Sequence, residues 1–589
     1  MEMIMSDAST AAKEAAPSPE TPSPAKACLR KACLAFIAGA HASRRPGALH
    51  FLWWAFLISL WWCTAASLPF WNMSLSPLSG SLPDMLRFGL ATLGCLVFAH
   101  MFLILLYSAL LPLPAAGAAT AILGIIAAVA FAFSYRYNAA MTPEMIQNAL
   151  ETDKREARDL MTLQLLVCFL AILLPQIPLL LRMIKARMRL RIRARMALLG
   201  ICCAFLSAAS LFTDFSGIAI YMREHHDARY FIAPSDAAAS AVRALTTDAQ
   251  SGTVERVPLD KSPLLASSRK HGRPVVIVTV VGETARAKNW GLSGYTRDTT
   301  PELKARNVIN FTDVTSCGTS TAESVPCIFS AQPRSGYDKK KARAMEQLPS
   351  LISRAGVKSI WIDNQAGSKD AAAGIEEKPL SQILPGKVSS AICPGGVCPD
   401  GALTRAVKAQ LDAARGPTAI YLHMMGSHGP AYADRYPPSF QHWGPVCRQN
   451  DLRQCQLSEL RNAYDNTIYY TDSVLASVID ALKERSDLDT ALVYFSDHGE
   501  SLGDDGFFLH GAPYAIAPEV QKKVPMIIWF SEGFQKRAGV DLKCVLRKAA
   551  SPASHDNIYH TLLDLNGVSS STYDPSLDLM RGCEKSSGS

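Results

Sequence analysis

Five long apolar runs in the first 212 residues constrain this chain more than any other feature of its sequence. They cover Phe51–Trp71, Arg87–Leu111, Ala116–Tyr135, Leu160–Leu181 and Met196–Phe212. Each is close to the ~20 residues that a helix needs to cross a bilayer. One such run could be a buried core helix. Five in succession, almost free of charge, predict an α-helical membrane domain of five transmembrane helices over residues 51–212.

The basic residues of the chain cluster beside these runs. The formal net charge is +8, and much of the excess lies in Arg182–Arg195, between the fourth and fifth runs. A basic segment in that position is typical of a membrane topology signal, so no nucleic-acid partner is predicted. Residues 1–50 are rich in Ala, Ser and Pro, then basic, and lack the early apolar core of a cleavable signal peptide. We expect them to form a disordered basic cytoplasmic tail.

Loop charge also predicts the orientation. With five spans, the tail and the Arg182–Arg195 loop fall on one side of the membrane, and the positive-inside rule places both in the cytoplasm. The large C-terminal domain then lies outside the cytoplasm, which in a bacterium means the periplasm. The sequence thus predicts a multi-pass protein of the bacterial inner membrane with a cytoplasmic N-terminus.

The cysteines of the C-terminal domain agree with an oxidising compartment. Eight of the 15 cysteines lie there, and three sequence-close pairs predict short disulfide loops: Cys317 with Cys327, Cys393 with Cys398 and Cys447 with Cys455. Zinc ligation is the alternative, but none of the pairs has the paired CxxC spacing of a structural zinc site. Cys544 and Cys583 are a fourth candidate pair only because they are the two cysteines of this domain that remain.

The chain beyond the membrane domain divides into a connector over 213–270 and an α/β domain over 271–585. Aromatic and charged residues mix in Tyr221–Tyr230, which suits a segment lying along the membrane interface. Pro274–Val281 is a run of β-branched residues and predicts a buried parallel strand. Further strands are predicted at Ser359–Asp363, Thr418–Met424, Ala491–Ser496 and Pro525–Trp529, and helices at Leu348–Ala355, Ala402–Ala414, Glu459–Arg485 and His555–Leu565. This alternation predicts a mostly parallel sheet between helical layers.

Acidic and imidazole side chains follow the ends of these strands, where ligands bind in such sheets. Glu283, Asp497 and His498 could supply three ligands to a zinc-type cation. A fourth could be a hydroxyl from Ser316–Cys327, SCGTSTAESVPC, since metal coordination makes an alcohol nucleophilic at neutral pH. Spacing alone leaves this assembly and an ordinary solvated loop both open.

Seven motifs in order then indicate a family. They are Gly282–Arg286 (GETAR), Gly294-Tyr295, Ser316–Ala322 (SCGTSTA), Ser324–Cys327 (SVPC), Gly426–Pro430 (GSHGP), Ser496–Ser501 (SDHGES) and Leu509–Gly511 (LHG). Together they resemble the phosphoethanolamine transferases that modify lipid A, the group that includes the mobile colistin-resistance enzymes. The resemblance runs from about the first span to the last predicted helix.

The resemblance implies an alkaline-phosphatase-like fold and a zinc-dependent transfer that gives polymyxin resistance. Phosphatidylethanolamine would be the donor and lipid A the acceptor, and the enzyme would work as a monomer in the bilayer. By position, Thr321 matches the nucleophile, Glu283, Thr321, Asp497 and His498 match the ligands of one tightly bound zinc, and His428 and His510 match histidines that bind substrate or a second zinc. Lys369 and Glu500 match further substrate-pocket positions, and Asn148, Thr152 and Glu156 match residues near the lipid headgroup.

Other functions stay open on the sequence. The acceptor could be a core-oligosaccharide sugar or another glycan, or the domain could be a phosphodiesterase or other hydrolase of the same fold. A sulfatase would need a Cys/Ser-x-Pro-x-Arg motif, and Ser324–Ile328 ends in isoleucine instead. A non-catalytic sensor is disfavoured by the complete Glu283, Thr321, Asp497 and His498 set.

Overall fold

The computed structural model describes residues 48–584 except 76–81, 138, 152–157, 159, 187–188, 225, 250–255, 385–390, 394–396 and 450–451. Five of its helices are long and apolar enough to cross a membrane: Ala48–Ala66, Leu82–Leu110, Leu113–Tyr137, Leu163–Lys185 and Leu190–Phe212. The five predicted spans are therefore confirmed. Residues 1–47 of the predicted N-terminal tail and residues 225 and 250–255 of the connector lie outside the described residues, and residues 48–50 begin the first spanning helix.

The first span ends earlier than its apolar composition suggests. The predicted run Phe51–Trp71 is split at Ser67, whose hydroxyl donates to the Trp62 carbonyl at 2.9 Å. A separate short helix, Leu68–Leu75, follows. A hydroxyl that bonds to the backbone offers the chain an alternative to the helix, so the run bends there.

The connector packs onto the membrane domain. It contains the helices Phe215–Glu224 and Ser235–Ala249, joined by a 3-10 turn over His226–Phe231. Ala233 and Ala237 belong to the same buried apolar cluster as residues of the spanning helices. Its position at the membrane surface remains a prediction.

The C-terminal domain contains twelve strands among the described residues. In chain order they are β1 (Leu264–Leu265), β2 (Val275–Gly282), β3 (Ile309–Thr315), β4 (Lys358–Asp363), β5 (Glu376–Pro379), β6 (Thr418–His423), β7 (Asp489–Ser496), β8 (Ser501–Leu502), β9 (Phe508–Leu509), β10 (Lys523–Phe530), β11 (Ala553–Ser554) and β12 (Val568–Ser569). Eight of them form one sheet in the order β11-β3-β10-β7-β2-β6-β4-β5, and β1 pairs with β12 and β8 with β9.

The sheet is mixed, although most neighbours are parallel. β10, which covers the predicted strand Pro525–Trp529, runs antiparallel to both β3 and β7. β3 was not predicted from the sequence, because its buried residues Ile309, Phe311 and Val314 are separated by polar residues instead of forming a continuous apolar run. β5 was not predicted either, because it is mostly exposed at the sheet edge and has no buried face that would give an apolar pattern.

Helices cover both faces of the sheet. Val275, Ile277 and Val281 of β2 enter one apolar core, with helices Thr321–Ile328, Leu348–Arg354 and Asp556–Asn566. Val276, Val278 and Val280 enter the other core, with helices Leu403–Ala413 and Leu457–Lys483. The remaining described helices are Ser267–Lys270, Pro301–Ala305, Lys339–Ala344, Leu380–Ile383, Glu519–Lys522, Glu532–Ala538 and Leu542–Ala549. Successive side chains of a strand point to opposite faces, so β2 supplies both cores.

Disulfides link the three predicted cysteine pairs. Bonds join Cys317 to Cys327, Cys393 to Cys398 and Cys447 to Cys455. The remainder pair, Cys544 and Cys583, is also bonded. The disulfide reading of the cysteines is thus confirmed over the zinc alternative.

Candidate active site

Three candidate metal ligands meet where two neighbouring parallel strands end. Glu283 follows β2, and Asp497 and His498 follow β7, whose Ser496 is the register partner of Gly282. One ligand atom from each of the three residues lies within 4.8 Å of the others. All three side chains are fully buried. The strand-end convergence predicted from the sequence is therefore present in three dimensions.

The Thr321 hydroxyl completes this cluster. Its Oγ1 lies 3.2 and 3.0 Å from the two carboxylate oxygens of Glu283 and 3.3 Å from Nε2 of His498. Thr321 is the first residue of the helix Thr321–Ile328, so the loop before it must approach the sheet closely. At Gly318 a Cβ would come within 3.0 Å of the Glu323 side chain, so a larger residue there would press on that helix.

The other two hydroxyls of the loop are not equivalent to Thr321. Thr319 donates its hydroxyl to the Ala512 carbonyl at 2.6 Å, and therefore joins two loops. Ser320 is the residue before the helix, with extended backbone. Farther along, the Ser324 hydroxyl donates to the Asp497 carbonyl at 2.5 Å and ties the helix to the metal-ligand loop.

The charges of the cluster depend on one another. Burial by itself raises the pKa of Asp497, and the charge of Glu283 raises it further. Burial lowers the pKa of His498, but the Asp497 and Glu283 carboxylates more than offset this and raise it overall. Burial opposes ionisation of Glu283, yet its contact with His498 holds its pKa below the usual range. Two buried carboxylates beside one imidazole form a site that favours a cation.

The donor atoms also suit a metal. His498 donates Nδ1–H to the Gly499 carbonyl at 2.9 Å, which leaves Nε2 unprotonated in the neutral ring and directed at the cluster. Oδ2 of Asp497 is buried and has no hydrogen-bond partner among the described residues. One imidazole nitrogen and two carboxylates are ligands that zinc takes, with a further position open to a hydroxyl or substrate. The residues present therefore fit a zinc ion.

Two more imidazoles border the cluster. The ring of His510 lies 4.5 Å from that of His498 and 5.2 Å from that of His428, measured between centroids. Nδ1 of His510 is 3.3 Å from a carboxylate oxygen of Glu500. His428 donates Nδ1–H to the Gly429 carbonyl at 2.8 Å. The structure thus brings His428, His510 and Glu500 together beside the triad.

The remaining sequence-predicted positions are more scattered. Lys369 lies at the same edge of the sheet, in the loop after β4, and its Nζ donates to the Ala366 carbonyl at 3.1 Å. Asn148 falls in the helix Pro143–Glu151, which reaches the catalytic domain. In that helix, Gln147 accepts a hydrogen bond from Lys339 at 2.9 Å. Thr152 and Glu156 lie outside the described residues.

Sequence reasoning missed the residue that braces the Asp497–Glu500 loop. Arg286, inside the motif GETAR, donates to the Glu500 carbonyl at 3.2 Å and to Asp504 at 2.6 Å. It also donates to Asn289 at 2.6 Å. The sequence does place an arginine three residues after Glu283, but Glu500 and Asp504 are more than 200 residues away, so no local pattern indicates these two partners.

An apolar cavity leads from this site into the membrane domain. Its volume is about 360 Å³, and its polar end is formed by His428 and His510. Along its length it is lined by residues of the third spanning helix and of the loop that contains β9, including Val129, Phe133 and Leu509. A continuous apolar surface therefore joins the candidate active site to a helix that crosses the membrane.

Comparisons with known proteins agree with this architecture. The family model "Sulfatase" matches residues 276–568, and the model "Phosphoethanolamine transferase EptA/EptB" matches residues 96–249. The chain is 34% identical to phosphoethanolamine transferase EptA of Escherichia coli K12 over 554 residues, which cover 92% of this chain and 98% of the relative. It is 33% identical to phosphatidylethanolamine transferase Mcr-2 of Escherichia coli over 87% of this chain and 94% of the relative.

A solved structure matches both domains together. The integral membrane lipooligosaccharide phosphoethanolamine transferase EptA of Neisseria meningitidis superposes with a TM-score of 0.83 at 30% identity, covering 90% of this chain and 98% of the other. The arrangement of membrane helices and sulfatase-like domain is therefore shared along almost the whole length. The chain belongs to the phosphoethanolamine transferase family of the alkaline phosphatase and sulfatase superfamily, and it is a membrane-embedded phosphoethanolamine transferase.

Proposed function

We propose that this enzyme moves phosphoethanolamine from phosphatidylethanolamine to a phosphate group of lipid A, through a phosphorylated Thr321. One observation carries the proposal: the Thr321 hydroxyl lies 3.0–3.3 Å from Glu283 and His498 in a buried, cation-favouring cluster. An isolated threonine hydroxyl is a weak nucleophile, and this environment is the kind that activates one.

The first half of the reaction would use Thr321 as the nucleophile. Its Oγ attacks the phosphorus of the donor, the Oγ–P bond forms, and the bond from phosphorus to the diacylglycerol oxygen breaks. In net terms, the proton lost by the Thr321 hydroxyl is gained by the diacylglycerol oxygen, which leaves as an alcohol. His428 and His510 border the cluster and are the residues that would deliver that proton.

The second half returns the enzyme to its starting state. An oxygen of the acceptor phosphate attacks the phosphorus, the Oγ–P bond of Thr321 breaks, and the proton of the acceptor goes back to the threonine. Transfer, in place of hydrolysis, requires that the acceptor displaces water near Thr321. Thr321 itself is only 3% exposed, which favours this outcome.

Glu283, Thr321, Asp497 and His498 would hold the zinc. When bound there, zinc supplies positive charge that stabilises the phosphoryl oxygens and lowers the pKa of the threonine hydroxyl. His428 and His510 would bind the substrate or hold a second zinc. Lys369 and Glu500 would bind the polar part of the substrate, and Asn148, Thr152 and Glu156 the ethanolamine headgroup.

The apolar cavity supports a lipid donor. A donor whose phosphate sits beside His428 and His510 can leave its acyl chains against the third spanning helix without exposing them to water.

Opening of the site toward a membrane also supports lipid A as the acceptor. A relative, the Kdo(2)-lipid A phosphoethanolamine 7''-transferase of Escherichia coli, is 30% identical over half of this chain, and its name specifies an acceptor of that class.

The proposed setting is the bacterial inner membrane, with the N-terminus in the cytoplasm and the catalytic domain in the periplasm. The four disulfides of the catalytic domain support an oxidising compartment. Modification of lipid A phosphates would lower their negative charge and so give polymyxin resistance. We propose that the enzyme acts as a monomer.

The test is mass spectrometry of lipid A from a polymyxin-sensitive Gram-negative host. Wild-type protein should add one phosphoethanolamine, and Thr321→Ala should add none. Thr312→Ala, an exposed threonine of β3, is the matched control and should behave as wild type. Unmodified lipid A from folded, zinc-loaded wild-type protein would contradict the lipid A acceptor, and modification by Thr321→Ala would contradict the nucleophile.

A further inference from the structure

Two buried side chains next to Glu283 take no part in the chemistry described so far. Strands β4, β6 and β2 lie side by side and parallel. Asp363, the last residue of β4, is the register partner of His423, the last residue of β6. His423 is in turn the register partner of Val281, two residues before Glu283. Three neighbouring strand ends therefore place an aspartate, a histidine and Glu283 in one row.

The His423 ring is held firmly on its Asp363 side. Nδ1 lies 2.9 Å from Asp363 Oδ1, and Nδ1–H donates because an ionised carboxylate can only accept. Asp363 Oδ2 accepts from the backbone N–H groups of Gln365 and Gly367, at 3.1 and 2.9 Å. The Trp361 ring packs edge-on against the imidazole with 5.8 Å between centroids. The imidazole therefore has one defined orientation.

The other ring nitrogen faces Glu283. Nε2 is 3.9 Å from Glu283 Oε2, and both side chains are fully buried. At that distance the two atoms do not form a hydrogen bond, and Nε2 has no other partner in the part of the chain that the structure describes. A buried polar atom without a partner costs free energy, which a group brought within hydrogen-bond distance would recover.

Glu283 is the residue on which this nitrogen can act. Its Oε2 is 3.0 Å from the Thr321 hydroxyl and 3.9 Å from His423 Nε2, while its Oε1 is 3.4 Å from His498. Rotation of the carboxylate therefore changes its distances to the nucleophile, to the neighbouring ligand and to His423 at the same time. A fixed group beside Oε2 limits that rotation.

We propose that His423, oriented by Asp363, is a positioning residue that fixes the Glu283 carboxylate for metal binding and for contact with Thr321. The proposal rests on the metal centre of the proposed function. When a group that orients a metal ligand without contacting the metal is removed, metal affinity changes by about 10–100-fold. The effect of His423 passes through Glu283, so it must appear in zinc binding and not only in turnover.

The test uses the full-length protein in detergent, three single variants, and the double variant with both His423→Asn and Asp363→Asn. His423→Asn keeps a polar group near the position of Nδ1 but removes Nε2. Asp363→Asn keeps the shape of the aspartate and removes its charge. Tyr421→Phe is the matched control, since Tyr421 is buried two residues earlier on β6 and its hydroxyl has no hydrogen-bond partner among the described residues.

Four quantities are measured for each: zinc Kd by competition with a chelator, Tm of the metal-free protein, and kcat and KM with a fluorescent phosphatidylethanolamine. We expect zinc Kd to rise about 10–100-fold in His423→Asn and in Asp363→Asn. The zinc Kd of the double variant should be no higher than that of the single variant that binds zinc more weakly, because the two residues act as a unit. Zinc Kd of Tyr421→Phe should stay within about twofold of wild type, as expected when no partner is lost.

Unchanged zinc Kd in folded His423→Asn and Asp363→Asn would overturn the proposal, whatever happens to their metal-free Tm. If His423→Asn does not fold, the zinc Kd of Asp363→Asn decides by the same criterion. Wild-type protein that binds no zinc would refute the proposed metal centre and this inference with it. Tight wild-type binding with unchanged variants would refute this inference alone.

Discussion

Nδ1 of His555 accepts a hydrogen bond from the backbone N–H of Cys317, at 3.0 Å. His555 precedes the last long helix, and Cys317 opens the loop that ends at Thr321. The bond therefore fixes the start of the nucleophile loop to a distant part of the chain. It needs a neutral imidazole with a free lone pair on Nδ1, because a protonated ring has no acceptor.

This bond makes the fold sensitive to acid. Burial lowers the pKa of His555 to about 3, from 6.5. Between these values the unfolded chain binds a proton that the folded chain does not, so stability falls as pH falls. From pH 7 to pH 5 the loss is about 2 kcal/mol for this group. In His555→Asn, which keeps an acceptor oxygen but does not titrate, the drop in Tm between these pH values should be smaller than in wild type.

The control for that comparison is His442→Asn, since His442 is an exposed histidine of the same domain. It should show the full wild-type drop in Tm. An equal drop in wild type and His555→Asn would mean that His555 does not carry the acid sensitivity.

The Cys317–Cys327 disulfide should matter for catalysis as well as for stability. Replacing both cysteines by alanine removes a link across 10 residues and should cost about 2–4 kcal/mol of unfolding free energy. Because the freed loop carries Thr321, kcat should also fall by at least tenfold. The Cys544/Cys583 double variant should lose a similar or larger stability, since its link spans 39 residues, but keep its kcat. Equal kcat in the two double variants, measured well below both Tm values, would show that the loop does not need its bond.

Asp497→Asn should separate metal binding from metal-free stability. The substitution removes the charge of one of two buried carboxylates, Asp497 and Glu283, which repel each other in the metal-free protein. The Tm of the metal-free protein should therefore rise. Zinc Kd should increase at least 100-fold, because an anionic ligand is lost. Calorimetric titration and thermal unfolding of the metal-free protein measure both. Glu302→Gln, on an exposed carboxylate, should change neither quantity, and unaltered zinc binding in Asp497→Asn would exclude Asp497 as a ligand.

Filling the apolar cavity should weaken donor binding. Ala130 lines the cavity and is 6% exposed, so Ala130→Phe places a ring in that space. If two methylene groups of the acyl chain lose their burial, KM for phosphatidylethanolamine rises about tenfold, with little change in kcat. Ala118→Phe, exposed on the same helix, is the control and should leave KM unchanged. Steady-state kinetics in detergent give both constants. An unchanged KM in Ala130→Phe would show that the lipid donor does not bind in this cavity.

Much of this architecture could be predicted because the signals are local. Length and apolar composition are sufficient for a spanning helix, so all five spans were found without tertiary information. The continuous apolar run of β2 and its neighbours predicted buried strands, and Glu283, Asp497 and His498 could be assigned to strand ends. Cysteine spacing predicted three of the four disulfides directly.

Tertiary structure alone decided what depends on strand order and register. The antiparallel direction of β10 leaves no local trace, because hydrogen-bond partners and not side-chain pattern set it. Three hydroxyls in a row at Thr319, Ser320 and Thr321 look alike in sequence, and packing directs Thr319 to Ala512 and Thr321 to Glu283. The row formed by Asp363, His423 and Glu283 joins residues up to 140 positions apart. It exists because β4, β6 and β2 are neighbours, which only the folded sheet determines.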